Sequence, residues 1–449
     1  MKKKILSALM ISAMIAGMMS GCGVSTTSDE SANANASGSE ADVSAPQSSS
    51  EDKVEVEFWY SGGKTAVNVV QEIVDEFNAS QDTYYVTTVT QGDYNETYQS
   101  LQAGIAGGVA PDLALIEVEP ARNLYSKGLL ANLNDYIDND SDFAKDDYIQ
   151  VFYNQGVSDS GDVFALPAYG TTQVMYYNKA VWEAVGIDPT TLSSWQELAE
   201  ACRAIKDGGY ATYGWEPMWG EDNLIDASLA NGAKLVSDDG KTVLINSKEW
   251  VEVWESFRTW IADDQIMAIH SGGQGWEYWY ATLDDAVAGT AGGYFGSSGD
   301  QADLDFTIVG AMEQPGWNDN VATPAAEAKE LVCVGASSDE EKQGAYEFMK
   351  YFTLPENQAK WSMETGYVAV RLSTQDVEDF KAYADENPQI LVPLQQASHA
   401  AIQPIDPTGG EIYDALATAA DKVEIEGISA QEALDEACAI AQEALDKVN

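Results

Sequence analysis

Two short stretches carry an unusual density of aromatic residues. Trp215-Glu216-Pro217-Met218-Trp219 lies in a Gly- and Pro-punctuated segment where helix packing does not account for two tryptophans, and Trp276-Glu277-Tyr278-Trp279-Tyr280 is equally dense. Such rings offer flat apolar planes with a polar edge, suited to stacking on a ring that has C–H faces and a hydroxyl rim. The second stretch precedes an Ala-rich, helix-like segment, which assigns at least half of it to a core. Covalent and metal chemistry find less support. Gly296-Ser297-Ser298-Gly299 lacks the glycine spacing of a nucleophile elbow. Asp138, Asp140 and Asp142 imitate the start of a calcium loop, but Phe143 stands at the glycine position and Ile149 at the closing glutamate position, so a solvated acidic loop is expected. His270 and His399 are the only histidines, too few for a multi-histidine metal site. Carboxylate pairs of the kind glycoside hydrolysis requires are inevitable among 73 acids and single out nothing. The expectation is a binding protein rather than an enzyme, with no cofactor and no metal.

Charge narrows the partners. Seventy-three Asp plus Glu against 23 Lys plus Arg give a net charge of -50, and Lys2-Lys3-Lys4 is the densest basic run, so neither nucleic acid nor an anionic lipid surface is an expected ligand. That run opens into the apolar stretch Ile5 to Met19, too short for an ordinary membrane span and shaped like a secretory leader. Met19-Ser20-Gly21-Cys22 resembles a bacterial lipobox, with Met where Leu is usual. Residues 1–21 therefore read as a lipoprotein signal peptide, and Cys22 as the lipidated N-terminus of an exported protein on the outer face of the cytoplasmic membrane. Removing them takes away three lysines and no acid, which deepens the charge from -50 to -53. The Ser-, Ala-, Asn- and Glu-rich residues 22–53 cannot bury apolar area and read as a flexible linker. Cys202, Cys333 and Cys438 are an odd number without Cys-x-x-Cys spacing, so buried inert thiols are expected.

The elements that must position the aromatic stretches follow from periodicity. Val54, Val56 and Phe58 alternate with period two, and Val67, Val70, Val74 and Phe77 recur at helical spacing. Tyr84 to Thr90 reads as a strand, Tyr94 to Ile105 as a helix closing at Gly107-Gly108, and Asp112 to Val118 as a short apolar strand. A βαβαβ start implies a parallel sheet with helices on its faces. Ser194 with Glu197, Ser338 with Glu341 and Ser429 with Glu432 have capping-box spacing and open further helices.

Six segments then carry a family resemblance in order and spacing: Glu57-Phe58-Trp59-Tyr60; Tyr94 through Ala110-Pro111-Asp112; Ala165-Leu166-Pro167 through Tyr176-Tyr177-Asn178-Lys179; Ser194-Trp195-Gln196-Glu197-Leu198; Pro355-Glu356-Asn357-Gln358; and Thr365-Gly366-Tyr367. Over about residues 53 to 447 the chain resembles the extracellular solute-binding proteins (family 1) of carbohydrate ABC transporters, within them the glycerol-3-phosphate-binding branch. The resemblance implies an α/β, two-lobed periplasmic-binding-protein-like fold (type II), with parallel-rich sheets flanked by helices and hinge-connected lobes closing on a ligand. It places lobe 1 at 54–166 plus about 302–353 and lobe 2 at about 167–301 plus 354–449, with crossings near Ala165 to Pro167, Ser298 to Leu304 and Phe352 to Pro355.

The same resemblance supplies ligand contacts. Trp215 and Trp219 match two cleft tryptophans, Tyr94 a ligand tyrosine, and Glu117 an acceptor carboxylate with Glu119 as the alternative. Thr171 and Ser297 match serines, and Tyr367 a further contact. Two positions depart from the pattern: Ala326-Glu327-Ala328-Lys329 stands where paired glycines belong, and Tyr413 where a phosphate-binding arginine belongs. Lys329 and Arg371 read as isolated charges. A buried phosphate needs a bidentate arginine or a donor cluster, so the departures favour a neutral mono- or oligosaccharide over glycerol-3-phosphate or a polyol phosphate. The implied partners are two transmembrane permease subunits of an ABC importer, with the binding protein a monomer. A surface adhesin that binds glycans without transport is the remaining alternative.

Overall fold

The period-two alternation after Lys53 forms β1 (Val54–Tyr60), burying Val56, Phe58 and Tyr60 on one face. The computed structural model describes residues 53–273 and 277–448; the leader, nearly all of the linker, Cys22 and Trp276 lie outside them. β2 (Tyr84–Thr90) and β3 (Leu113–Glu117) both run parallel to β1, joined to it and to each other by the helices Lys64–Ser80 and Tyr94–Gly107. The expected βαβαβ start is thus present. Beyond it come β4 (Leu166–Asn178), β5 (Glu216–Pro217), β6 (Gly293–Ser297), β7 (Val309–Met312), β8 (Ala325–Cys333) and β9 (Ala401–Ile402). The strand order is β2-β1-β3-β8-β4-β6-β5, with β7 paired to β4 and β9 to β8. β8 is antiparallel to both β3 and β4, so the assembly is a mixed sheet flanked by helices.

Two large apolar cores form along this order. The first gathers Val56, Phe58, Ile73, Phe77, Phe152, Leu331, Phe348 and Phe352. The second gathers Trp182, Trp195, Trp250, Trp254, Phe295, Leu416 and Leu434. β4 serves both: Leu166, Ala168 and Tyr169 pack in the first while Met175 packs in the second, and its pairing changes from β8 to β6 and β7 at Thr172 to Gln173. A register shift between Pro167 and Tyr169 marks where the strand bends. The outward crossing therefore lies a few residues beyond Pro167.

The two return crossings differ from those expected. Met312 and Trp317, placed by sequence in lobe 1, pack in the second core, and Trp361, Val368, Val370 and Ala397, placed in lobe 2, pack in the first. The cause is side-chain packing: the helix Pro355–Thr365 lays Trp361 on Tyr169 with ring centroids 4.6 Å apart. Punctuation by Pro and Gly marks where an element ends, not which core its next face fills.

Local signals translate directly. Ser338 and Glu341 form a reciprocal capping box on the helix Asp339–Phe352, and Ser194 Oγ accepts from the Glu197 amide ahead of Trp195–Gly208. Cys202 and Cys333 are buried free thiols, and Cys438 is a partly buried one; burial raises all three, Cys333 to about 12. No helix among the described residues is long and apolar enough to cross a membrane.

Candidate functional site

Strand register assembles the site. Opposite Lys329 of β8 stand Glu117 of β3 on one side and Tyr169 of β4 on the other, and opposite Glu327 stands Thr171. Because side chains two residues apart share a sheet face, Glu327 and Lys329 point the same way. Lys329 Nζ donates to Glu117 Oε1 at 2.8 Å and to Glu327 Oε1 at 2.9 Å, and lies 4.8 Å above the Tyr94 ring. Charge pairing outweighs desolvation and holds the Lys329 ammonium well above the usual lysine range.

Tyrosines build the rest of this wall. Tyr94, at the start of the helix Tyr94–Gly107 and oriented by the Asp93 cap, shares a hydroxyl–hydroxyl hydrogen bond with Tyr169. Tyr169 in turn lies 4.8 Å from the Tyr367 ring. Tyr367 packs where only Gly299 fits, since a Cβ there would stand 2.6 Å from the ring. Thr171 Oγ1 lies 3.2 Å from Ser297 Oγ and 3.4 Å from Ser298 Oγ. Burial raises the hydroxyls of Tyr94, Tyr169 and Tyr367, so all three remain neutral donors and acceptors at physiological pH.

The facing wall is acidic. A small cavity runs from Thr171 and Glu327 to Asp222 and Asp226 of the helix Glu221–Ala230, with Gln403 at its side. Asp222 keeps contact with solvent yet is crowded by protein: desolvation raises its carboxyl, Lys329 lowers it and Glu117 raises it. Burial pushes Glu221 and Asp226 up to about 7, although Asp226 accepts from Gln314 Nε2 at 2.7 Å and the Ala325 amide at 3.0 Å. Glu119, from the first turn of the helix Val118–Ser126, is also raised to about 7 by burial, against the Arg122 charge. A larger cavity of about 760 Å³ lies elsewhere, against Gln301, Phe306, Met363, Tyr383 and Asn387, and shares no residue with this one.

Of the residues expected at a ligand, Tyr94, Glu117, Thr171, Ser297 and Tyr367 come together around Lys329 and Tyr169. Glu119 and Tyr413 sit together beside Asp222 and Asp406, but the Tyr413 hydroxyl already donates to the Pro404 carbonyl at 2.6 Å. Trp219 is partly exposed; its Nε1 donates to Asp421 at 2.7 Å and its ring meets Tyr278 edge-on at 4.9 Å. Trp215 is corrected: it is 0% exposed, packs in the second core edge-on to Trp182, and has no face to offer a ligand. Lys329 and Arg371 are corrected too. Lys329 is paired twice, and Arg371 is paired with Asp147 at 2.7 Å and lies on the Tyr148 ring at 4.5 Å. Sequence reasoning did not single out Tyr169 or Asp222, left Tyr278 in an aromatic stretch divided between core and site, and read Glu327 only as a departure from paired glycines. For Glu327 the signal was present: charges alternating through an apolar strand imply a second polar face that must find partners.

Chemically, three carboxylates (Glu117, Glu327, Asp222) surround one ammonium that is already engaged, among neutral phenols and hydroxyls. Such a wall accepts hydrogen bonds from hydroxyl donors and stacks on C–H faces. It disfavours an added anion.

Comparison with known proteins agrees with this architecture. The family model described as bacterial extracellular solute-binding protein matches residues 72–388. The sn-glycerol-3-phosphate-binding periplasmic protein UgpB of Yersinia pestis bv. Antiqua (strain Antiqua) is 26% identical over 363 residues, covering 76% of this chain and 80% of the relative. The structure of UgpB from Mycobacterium tuberculosis in complex with glycerophosphocholine superposes with a TM-score of 0.77 at 20% identity, over 88% of this chain and 98% of that one. The cyclic alpha-maltosyl-1,6-maltose binding protein from Arthrobacter globiformis gives a TM-score of 0.73 at 21% identity, over 88% and 100%.

Proposed function

Because the chain belongs to the bacterial extracellular solute-binding protein family, we propose that it is the substrate-binding lipoprotein of an ABC importer. In this reading Cys22 anchors it to the outer face of the cytoplasmic membrane, and a neutral mono- or oligosaccharide is captured between the two cores and passed to two permease subunits. The protein acts as a monomer and catalyses no reaction. The neutral ligand rests on one observation: Lys329, the ammonium of the site, is already engaged by Glu117 and Glu327 beneath a tyrosine wall. Closure follows if the ligand bridges Tyr94, Tyr169 and Glu117 on one side and Asp222 and Trp219 on the other, since a ligand touching both halves favours the closed state.

Calorimetric titration tests this. A panel of neutral sugars, from monosaccharides to maltotriose, is expected to contain a ligand of micromolar or tighter affinity, while glycerol-3-phosphate produces no binding heat. Tight glycerol-3-phosphate binding with no response to any sugar overturns the reading. A second reading has its own support: an acidic wall of phenol rings suits a quaternary ammonium group, and one structural neighbour holds glycerophosphocholine. Binding of glycerophosphocholine without sugar binding selects it. An adhesin would bind glycan but deliver nothing, and uptake of labelled ligand by cells carrying the adjacent permease genes separates it from the importer.

A further inference from the structure

Glu216 of β5 is wholly buried, and no N–H or hydroxyl group donates to either of its carboxylate oxygens, whose side-chain hydrogen-bond neighbour is the Asp285 carboxyl. Its Oε2 faces His270 Nε2 at 3.7 Å, and that nitrogen lies 2.9 Å from Asp285 Oδ2. One donor atom from each of the three lies within 4.8 Å of the others. The backbone brings them together without their help. β5 runs parallel to β6 with Glu216 opposite Tyr294, and a parallel bridge from Trp215 to Met267 draws the segment ending at His270 alongside. The Asp285 carbonyl accepts from the amides of Thr290 and Ala291, which lead into β6.

A buried carboxylate with no donor is disfavoured unless a proton or a cation compensates it. We propose that Glu216, His270 and Asp285 form a binding site for one divalent cation of borderline softness, with Zn²⁺ as the type ion. One imidazole and two carboxylates are the donor set such ions accept, and three protein ligands leave a fourth position for water. Tetrahedral Zn²⁺ with bonds of about 2.0–2.2 Å places its ligand atoms about 3.4 Å apart, so the cluster closes with shifts below about 1 Å. The His270 and Asp285 side chains are 38% and 28% exposed, which opens an entry path to the buried Glu216. The site ties β5 to the helix Glu277–Ala288, whose first turn carries Tyr278 against Trp219 and Trp279 donating to Asp300. The few histidines of this sequence argued against a metal; one is sufficient when two distant carboxylates converge on it.

The test is zinc stoichiometry by equilibrium dialysis and mass spectrometry on the purified, chelator-treated protein, in millimolar Mg²⁺ to saturate surface carboxylates. The expected result is one zinc per chain and a raised unfolding temperature. His270→Ala, Glu216→Gln and Asp285→Asn should each weaken zinc binding by about tenfold or more, while His399→Ala, at the exposed pair with Glu313, leaves it unchanged. His270 and Asp285 are partly exposed, so their variants carry the test if Glu216→Gln folds poorly. No bound zinc, or zinc retained with wild-type affinity by His270→Ala and Asp285→Asn, overturns the proposal. So does zinc retained by a well-folded Glu216→Gln.

Discussion

Trp215 and Trp219 stand four residues apart and meet opposite surroundings. Trp215 fills the second core with its indole N–H enclosed and unpaired, whereas Trp219 is partly exposed, bonded to Asp421 and set against Tyr278. Trp215→Ala is therefore expected to lower stability by about 3–5 kcal/mol, the cost of emptying a large aromatic site in a packed core, with any loss of affinity secondary to unfolding. Trp219→Ala is expected to weaken ligand binding by roughly 1–3 kcal/mol while leaving the unfolding midpoint nearly unchanged. Denaturant titration and calorimetry on both variants separate the effects. Equal loss of affinity in the two, with equal stability, would return Trp215 to the ligand.

At the scale of elements, β4 and β8 matter most, because they carry the tyrosine-lined wall of the candidate site and β4 passes between the cores. Gly170, between Tyr169 and Thr171, exchanges both backbone hydrogen bonds with Val368 at 2.8 Å. A Cβ there would stand 2.2 Å from the Phe152 ring, in backbone that is otherwise ordinary for any residue. Gly170→Ala must displace that ring or the strand, with an expected loss of about 1–3 kcal/mol. Adding Phe152→Leu should recover part of it, as read by thermal unfolding of the single and double variants. No recovery would place the strain in the β4 backbone instead.

Across the whole molecule the excess of acid governs pH behaviour. Burial raises Asp226, Glu119 and Glu221 to about 7, and Asp300, bonded to Tyr294 and Trp279, to about 8. In the unfolded chain these groups titrate near about 4. Between pH 4 and pH 8 the folded state therefore holds more protons than the unfolded one, so their contribution favours folding below about pH 4 and is lost as pH rises through 7 to 8. Repulsion within a chain of net charge -50 acts in the same direction. Calorimetric scans from pH 5 to pH 8.5 should show a falling midpoint, and Asp300→Asn should flatten the fall; a midpoint that rises over this range contradicts the assignment. Anchoring is tested at the same scale. Cys22→Ala should shift the protein from the membrane fraction to the medium, because acyl chains add about 0.8 kcal/mol of membrane affinity per buried CH₂. Retention equal to the parent's would assign the anchor to the apolar leader itself.

Period-two and helical spacing were enough to determine the βαβαβ start, and the capping residues opened the helices they were expected to open, since both signals act over a few residues. Composition alone set the acidic, cation-poor character of the molecule. Tertiary structure decided which side chains meet. Lys329 and Glu117 are 212 residues apart, and only the antiparallel register of β3 on β8 places them opposite one another, with Tyr169 and Thr171 added by β4. The same dependence on distant pairing turned Trp215 inward, moved Trp361 to the first core, and gathered Glu216, His270 and Asp285 from a strand, a loop and a helix. Local propensity carries no information about a partner that arrives from elsewhere in the chain, so a residue's type was legible while its role waited for the fold.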